Sequence, residues 1–271
     1  MEKLHFLTAG IPSTAKDYTN AFQKLDEMNL DGLEVEFVHG VRYSDVTRKA
    51  ILNRNNKIIT HHGPYYINLN AKEKDKIDSS IKRVLDTARA GKDLGAYSIT
   101  YHAAFYLGGS EEELMKTMIE RHKTIVETLE EEDNNIWIRP ETTGKRSQWG
   151  TLDEIIKLSK NFSQVLPCVD FAHIHAREDG KFNTYDEFCG ILEKIGTELG
   201  DIALNNFHGH VAGIEYTAKG EKRHLIFEES DFNYKDLLKA LKKFDVKGAL
   251  ICESPNIEVD AKILKDYYLS L

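Results

Sequence analysis

The sequence predicts a single (β/α)8 barrel that spans residues 1–271, and three observations support this prediction. Short apolar runs recur about every 25 to 40 residues, and the segments between them have helical patterns, which indicates eight βα units. The length of 271 residues suits one barrel, which commonly takes about 250 residues. No linker rich in proline, glycine or serine divides the chain into two domains.

Each predicted strand is an apolar run, and six of the eight end on a histidine or a carboxylate. In chain order the strands are residues 4–9, residues 33–38, and the runs that end at His62, His102, Glu141, Asp170, His210 and Glu253. Clear helical patterns lie at about residues 16–28, 76–94 and 111–131. Active sites of such barrels lie at the C-terminal ends of the strands, so the polar strand ends are expected to meet at one mouth.

The second strand alternates apolar and acidic residues. The outer face of a barrel packs on helices, so Leu33, Val35 and Phe37 are expected to point outward. Glu34 and Glu36 then point into the barrel, with Glu36 nearer the mouth. A buried carboxylate needs a cation or hydrogen bonds. Glu36 is therefore either a site residue or half of a structural salt bridge.

The composition, with 41% hydrophobic and 30% charged residues, is ordinary for a globular protein. No stretch reaches the roughly 20 apolar residues that a membrane span needs, and the first residues lack a signal-peptide pattern. Cys168, Cys189 and Cys252 show no Cys-x-x-Cys spacing and are expected to be reduced core residues. These features predict a cytoplasmic protein without a membrane partner, and we expect a monomer.

The net charge of −8 counts against a nucleic-acid partner, because phosphate backbones attract basic surfaces. That charge includes carboxylates at strand ends that are candidates for metal binding. Two bound Zn²⁺ ions would reduce it to −4 and would place the positive charge where a phosphate docks. The sign of the net charge is therefore a weak guide to the partner.

Histidines are concentrated at the predicted mouth of the barrel. Only His5 and His122 lie elsewhere among the eleven; the other nine are His39, His61, His62, His102, His173, His175, His208, His210 and His224. Structural histidines would be scattered over both ends, so clustering with carboxylates predicts a site for Zn²⁺ or Mn²⁺. In His61-His62 and in His208-Gly-His210, only one histidine of each pair needs to point inward.

These residues fall into motifs of a known family: the chain resembles endonuclease IV, the zinc-dependent apurinic/apyrimidinic (AP) endonucleases among the xylose isomerase-like TIM barrels. The resemblance extends along nearly the whole chain. It is carried by His62-x-x-Tyr65-x-Ile-Asn-Leu69, His102, Glu141 in Pro-Glu-Thr-Thr-Gly, Cys-Val-Asp170-x-x-His173, His210 before Gly-Ile-Glu-Tyr, Lys-Arg-His224, and Glu253 in Cys-Glu-Ser-Pro.

The resemblance implies ligands for zinc and contacts to DNA. His62, His102 and Glu141 would bind one zinc ion; Glu141, as a bridge, with Asp170, His210 and Glu253 would bind a second; His173 and His224 would hold a third. Tyr65 and Arg42 match positions that insert into DNA. The implied activity is hydrolysis of double-stranded DNA 5′ to an abasic site, leaving a 3′-hydroxyl. In this hydrolysis Glu141 and Glu253 would be the catalytic carboxylates, and Glu253 would orient the attacking nucleophile.

The chain departs from the family pattern at the third zinc. Lys222-Arg223-His224 stands where the family has Asp-x-His, and a protonated lysine repels a cation. The third ion is therefore expected to be weak or absent, unless Glu221 or Glu215 replaces the missing carboxylate. Lys222 and Arg223 are alternatively candidates for contacting a DNA phosphate.

Two further classes of function remain open. The set Glu141, Asp170, His210 and Glu253 also occurs in related sugar isomerases and epimerases, where two glutamates move a proton beside one Mn²⁺. His62 and His102 distinguish the cases, because a single-metal epimerase does not need them, whereas a bridged two-metal centre does. A barrel that binds a ligand without catalysis is the third class.

Overall fold

The structure, a computed structural model, describes all 271 residues. Eight parallel strands form the barrel: β1 (Leu4–Ala9), β2 (Gly32–Glu36), β3 (Ile58–His62), β4 (Ser98–Tyr101), β5 (Trp137–Pro140), β6 (Val169–Asp170), β7 (Phe207–Val211) and β8 (Gly248–Cys252). Strands β1 to β5 pair in chain order, as do β6 to β8, and β8 pairs with β1. Bridges from Ile138 to Val165 and from Glu141 to Cys168 close the ring between the fifth and sixth strands. The predicted single (β/α)8 barrel is confirmed.

Helices follow the strands and surround the barrel. They are α1 (Tyr18–Glu27), α2 (Asp45–Leu52), α3 (Lys74–Leu94), α4 (Glu111–Glu131), α5 (Leu152–Ser159), α6 (Phe171–Arg177), α7 (Tyr185–Leu199), α8 (Asp201–Asn205), α9 (Tyr234–Lys243) and α10 (Glu258–Ser270), with a short 3₁₀ turn at Phe227–Glu229. The predicted first helix begins at Tyr18 because the Asp17 side chain accepts the Asn20 N–H and caps the end. No helix combines the length and apolar character needed to cross a membrane.

The alternation in β2 gives the orientation that the sequence predicts. Leu33, Val35 and Phe37 lie in the main hydrophobic core, together with Phe22 and Leu25 of α1. Burial of apolar side chains between the strands and the helices stabilises the barrel and fixes which residues point inward. The acidic residues of β2 consequently face the barrel interior.

Two short antiparallel ladders above the strand ends were not predicted. Their strands are Ala104–Phe105 with Gln148–Trp149, and Gly213–Thr217 with Gly220–Leu225; the second pair is called the hairpin below. The hairpin is joined to the loop after β5, because the Glu221 N–H donates to the Gly144 carbonyl at 3.0 Å. Both ladders therefore stand at the mouth of the barrel.

Candidate metal centre

The first donor set consists of His62, His102 and Glu141, which end or directly follow β3, β4 and β5. Nε2 of His62 lies 3.1 Å from Oε2 of Glu141, and Nε2 of His102 lies 3.2 Å from Oε1. Nδ1 of His62 lies 2.7 Å from the Gly63 carbonyl. Since a carbonyl only accepts hydrogen bonds, a neutral His62 ring would carry its hydrogen on Nδ1 and keep the Nε2 lone pair free for a cation.

Glu141 also belongs to the second donor set, with Asp170, His210 and Glu253. One ligand atom from each of these four residues lies within 4.8 Å of all the others. Nδ1 of His210 is 3.2 Å from Oε1 of Glu253 and 3.6 Å from Oε1 of Glu141. The two donor sets therefore meet at a single shared carboxylate.

Asp170 is positioned by the turn from β6 into α6. It is the N-cap of α6, and its Oδ1 accepts the N–H of His173 at 2.6 Å. The Asp170 N–H donates to Oγ1 of Thr142 at 2.8 Å, which ties this turn to the loop after β5. Oδ2 is buried and makes no hydrogen bond, so it remains available to the second donor set.

Buried atoms without partners show that a cation fits this arrangement. Oε1 of Glu141, Oδ2 of Asp170 and Nδ1 of His210 are buried, and the nearby imidazoles do not have hydrogen-bonding geometry towards them. Each buried polar atom left unpaired costs about 1–3 kcal/mol. Imidazole and carboxylate donors are typical ligands of Zn²⁺ and Mn²⁺.

The carboxylates of the centre differ in their pKa values. Burial raises the pKa of Asp170 to about 6, against the opposing charge of His173. Burial also disfavours ionisation of Glu141 and Glu253, but neighbouring histidines, His210 above all for Glu253, hold the pKa of Glu141 well below its usual value and that of Glu253 at about 2. A divalent cation beside these buried carboxylates would favour their ionised forms.

The two inward glutamates of β2 have different surroundings. Glu34 is fully buried, with its carboxylate oxygens 3.1 Å from Nε2 of His208 and 3.0 Å from Nε2 of His210. Oε1 of Glu36 is buried without a hydrogen bond, and burial raises the pKa of Glu36 to about 8. The salt bridge considered for Glu36 is thus made by Glu34, whereas Glu36 lies beside Glu253 at the edge of the centre.

A third donor set groups His173 and His224 with Asp170, and Glu221 lies close enough to His173 to join it. Nε2 of His173 is 3.4 Å from Nε2 of His224 and 3.5 Å from Oε2 of Glu221. Gly144 makes room for this approach, because a Cβ at that position would lie 2.6 Å from Cβ of Glu221 and 2.9 Å from Cδ2 of His173. Of the two carboxylates considered as substitutes, Glu221 is the one placed beside the histidines.

The two basic residues before His224 point elsewhere. Nζ of Lys222 lies 2.5 Å and Nε of Arg223 lies 2.6 Å from the two carboxylate oxygens of Glu215, on the opposite strand of the hairpin. Both side chains are exposed. Their charges are therefore partly balanced within the hairpin itself. Arg42, the other basic residue predicted to contact DNA, is exposed in the loop after β2 and forms no ion pair.

A cavity of about 520 Å³ opens over the three donor sets. Besides residues of these sets, it is lined by Tyr65, Phe105, Lys145 and Gln148. The Tyr65 side chain stands at the rim with 57% of its surface exposed. Lys145 is the only lysine or arginine in the lining and forms no ion pair. Sequence reasoning missed Lys145, and its place four residues after Glu141 was the only available signal.

In only one of the two histidine pairs do the side chains point to opposite sides of the strand. His61 points outward and packs edge-on against Phe37, with ring centroids 5.1 Å apart, while His62 points inward. His208 and His210 both point inward, but His208 contacts Glu34 and His210 and is not itself a member of the second donor set. His62 and His210 are the members that reach the centre.

Comparison with known proteins identifies the family, whereas the similar proteins differ in function. A profile of the xylose isomerase-like TIM barrel family matches residues 22–267. The chain is 43% identical over 269 residues to an uncharacterized protein of Methanocaldococcus jannaschii, covering 99% of this chain and 98% of that protein. It is 32% identical over 157 residues to an apurinic-apyrimidinic endonuclease of Caenorhabditis elegans, covering 55% of this chain and 38% of that protein.

Similar solved structures include both nucleases and epimerases. A D-tagatose 3-epimerase-like protein has a TM-score of 0.73 and 19% identity, with 97% of each chain covered. Endonuclease IV from Thermus thermophilus has a TM-score of 0.71 and 12% identity, with 98% of this chain and 100% of that chain covered. These similarities show a shared fold and do not distinguish the two activities. With the profile matching most of its length, the chain belongs to the xylose isomerase-like TIM barrel family.

Proposed function

We propose that the protein is a metal-dependent AP endonuclease that hydrolyses the DNA backbone 5′ to an abasic site. The observation that carries this proposal is the sharing of Glu141 by two donor sets. A single-cation centre needs only the second set, whereas His62 and His102 complete a second site on the other side of the same carboxylate. Two cations bridged in this way suit phosphodiester hydrolysis. The endonuclease IV motifs and the similarity to the C. elegans AP endonuclease support the same function.

The residues of the centre have distinct tasks in this proposal. The first donor set would hold one cation and the second donor set another, with zinc the expected metal. When bound, the cations would stabilise charge on the phosphate and lower the pKa of water towards ~7. Glu141, which is buried, would join the two sites. Glu253, 13% exposed at the cavity wall, would orient the attacking water. Tyr65 at the rim would fill the gap left by the missing base.

The proposal is tested with a DNA duplex that contains one tetrahydrofuran abasic site. This analogue lacks the aldehyde needed for elimination, so only hydrolysis cleaves it. We expect the zinc-loaded protein to produce a 3′-hydroxyl end on the 5′ side of the lesion, and a chelator to stop the reaction. An undamaged duplex is the control. A fully metal-loaded protein that leaves the abasic duplex intact would reject the proposed function.

Lys145 is expected to provide the cationic contact to the substrate phosphate. Its ammonium lines the cavity without a carboxylate partner, whereas Lys222 is paired with Glu215. Lys145→Gln should weaken binding of abasic duplex about tenfold and reduce the slope of log K against log salt by about one. Lys222→Gln is the matched control and should change both quantities little. A larger effect at Lys222 would show that the hairpin lysine is the phosphate contact.

The third donor set is expected to bind a cation through Glu221. Glu221→Gln should weaken binding of a third Zn²⁺ at least about tenfold, because two neutral imidazoles leave the charge of the ion uncompensated. Metal equivalents are counted by mass spectrometry at increasing free Zn²⁺. Glu215→Gln, which alters a carboxylate of the same hairpin away from His173, should retain the wild-type count. A wild-type protein that never exceeds two equivalents would show that this set is unused.

A single-cation sugar isomerase or epimerase is the second candidate function. The second donor set alone could hold one Mn²⁺, and Glu141 and Glu253 would then move a proton between two faces of a substrate carbon. The structural similarity to a D-tagatose 3-epimerase-like protein supports this candidate. Incubation with ketohexoses in the presence of Mn²⁺ tests it. Epimer formation by a protein that leaves abasic DNA uncut would favour it over the nuclease.

A further inference from the structure

A fourth group of possible metal ligands lies inside the barrel. It is called the interior donor set below and consists of Glu34, Cys168, His208 and His210, all fully buried. One ligand atom from each of Cys168, His208 and His210 lies within 4.8 Å of the other two. Glu34 lies on β2, Cys168 directly precedes β6, and both histidines lie on β7. Only His210 also belongs to a donor set of the proposed reaction.

The Glu34 carboxylate has close polar neighbours but no hydrogen bond. Its Oε2 lies 3.1 Å from Nε2 of His208, and its Oε1 lies 3.0 Å from Nε2 of His210. Neither oxygen accepts a hydrogen bond from these rings or from any other group. The two Nε2 atoms are 3.3 Å apart, and a hydrogen bond between them would still leave the carboxylate unpaired. A buried carboxylate in this situation is costly unless a cation lies beside it.

The separations between these atoms are those of ligands around one ion. With tetrahedral bonds of roughly 2.0–2.1 Å, two ligand atoms lie about 3.3 Å apart. The three separations of 3.0, 3.1 and 3.3 Å are close to this value. Oγ of Ser98 lies 2.7 Å from Nδ1 of His208, so the opposite nitrogen of that ring faces Glu34. Contacts of this kind typically orient histidines that bind metals.

We propose that the interior donor set binds a Zn²⁺ ion that links β2 to β6 and β7 across the barrel, separately from the cations of the metal centre. Thiolate and imidazole ligands favour Zn²⁺ over Mn²⁺. The charges of Glu34 and of a Cys168 thiolate balance a divalent ion, and the thiol proton is released to solvent on binding. Four protein ligands leave no position for a substrate, as in zinc sites that stabilise a fold. The proposal applies to a nuclease and to an epimerase alike.

His210 lies between the interior donor set and the second donor set. Its Nε2 faces Glu34, whereas its Nδ1 lies 3.2 Å from Oε1 of Glu253. One ring can therefore contact an ion on each side, through a different nitrogen. Glu34, Cys168 and His208 are three ligands that no other donor set uses, so the interior ion does not depend on His210 alone.

Cys168 makes the interior ion distinguishable from every other ion in the protein, because the other donor sets offer only nitrogen and oxygen. Co²⁺ bound to a thiolate absorbs in the near ultraviolet by charge transfer from sulfur, which nitrogen and oxygen ligands do not produce. Combining Cys189→Ala with Cys252→Ala leaves Cys168 as the only thiol without changing the interior donor set. Both replaced cysteines pack in the main hydrophobic core, outside this set. We expect this double variant, freed of metal and titrated with Co²⁺, to develop the sulfur band.

Two further variants test the ligands themselves. Cys168→Ser should lose the band and one equivalent of bound Co²⁺, with folding checked by circular dichroism. Glu34→Gln keeps the thiol but removes a charged ligand. Because loss of a group that only orients a ligand already costs about 10–100-fold in affinity, Glu34→Gln should raise the Co²⁺ concentration at half-maximal band intensity at least about tenfold.

The outcomes separate this proposal from the proposed function. A sulfur band in the double variant that is weakened by Glu34→Gln supports the interior ion, even if abasic DNA stays uncut, which would reject only the nuclease. Absence of the band in wild-type protein saturated with Co²⁺, or its persistence in Cys168→Ser, overturns the interior ion. Cleavage of abasic DNA by a protein without the band would leave the nuclease intact and reject only the interior ion.

Discussion

Glu141→Gln is expected to remove both principal cations and to reduce cleavage of an abasic duplex at least about 1,000-fold. Glu141 is the only residue that belongs to both the first and the second donor set. The glutamine side chain has nearly the same volume, but it offers one oxygen in place of two and adds an amino group that repels a cation. Losing about 4 kcal/mol of transition-state stabilisation corresponds to roughly a thousandfold in rate.

Metal content and rate must be measured on the same preparation of Glu141→Gln. Metal equivalents are determined by mass spectrometry after gel filtration, and the cleavage rate is determined with enzyme in excess over DNA. Glu131→Gln, on the exposed face of α4, changes the charge equally far from the centre and should behave like the wild type. If Glu141→Gln retained two equivalents of metal, Glu141 would not be the bridge.

The orientation of the strands could be predicted because burial imposes a simple rule on alternating residues. In β2 the outer face packs on helices, so the apolar residues Leu33, Val35 and Phe37 had to point outward and the glutamates inward. The same rule separates His61 from His62, which are adjacent and face opposite sides. Pattern alone thus placed most of the first donor set at the correct end of the barrel.

Alternation does not distinguish His208 from His210, because residues two apart on a strand face the same side. They differ only in depth along β7: Nδ1 of His210 lies 3.2 Å from Glu253, whereas Nδ1 of His208 lies 2.7 Å from Ser98. The sequence does not contain these distances. The choice between them therefore required the three-dimensional arrangement.

The sequence left the carboxylate of the third donor set open between Glu221 and Glu215 for a different reason. Matching by motif puts Lys222 at the acidic position of the family, but the hairpin has an irregular register between Glu215 and Tyr216. Together with the close approach allowed by Gly144, this register places Glu221 beside His173. Such a register shift depends on backbone pairing, and a comparison of sequence positions does not contain it.

His62→Ala is expected to separate the two candidate functions. His62 belongs to the first donor set and not to the second, so its loss should release one cation and leave the other bound by Asp170, His210 and Glu253. If the protein is a nuclease, cleavage of abasic DNA should fall at least about 100-fold, because one cation can no longer stabilise both the attacking and the leaving oxygen. If it is an epimerase, turnover of the sugar needs only the second donor set and should change little.

The neighbouring histidine provides the control for this prediction. His61→Ala removes an equally buried imidazole that packs against Phe37 outside the barrel, so it should lower thermal stability while both cations and the cleavage rate are retained. Metal equivalents, melting temperature and single-turnover cleavage are compared for the wild type and the two variants. Loss of one cation and of cleavage in His62→Ala alone is the result expected of a two-cation nuclease. A His62→Ala protein that holds a single cation and cuts abasic DNA at the wild-type rate would show that the first donor set has no part in the chemistry and that the sharing of Glu141 does not indicate a two-cation nuclease.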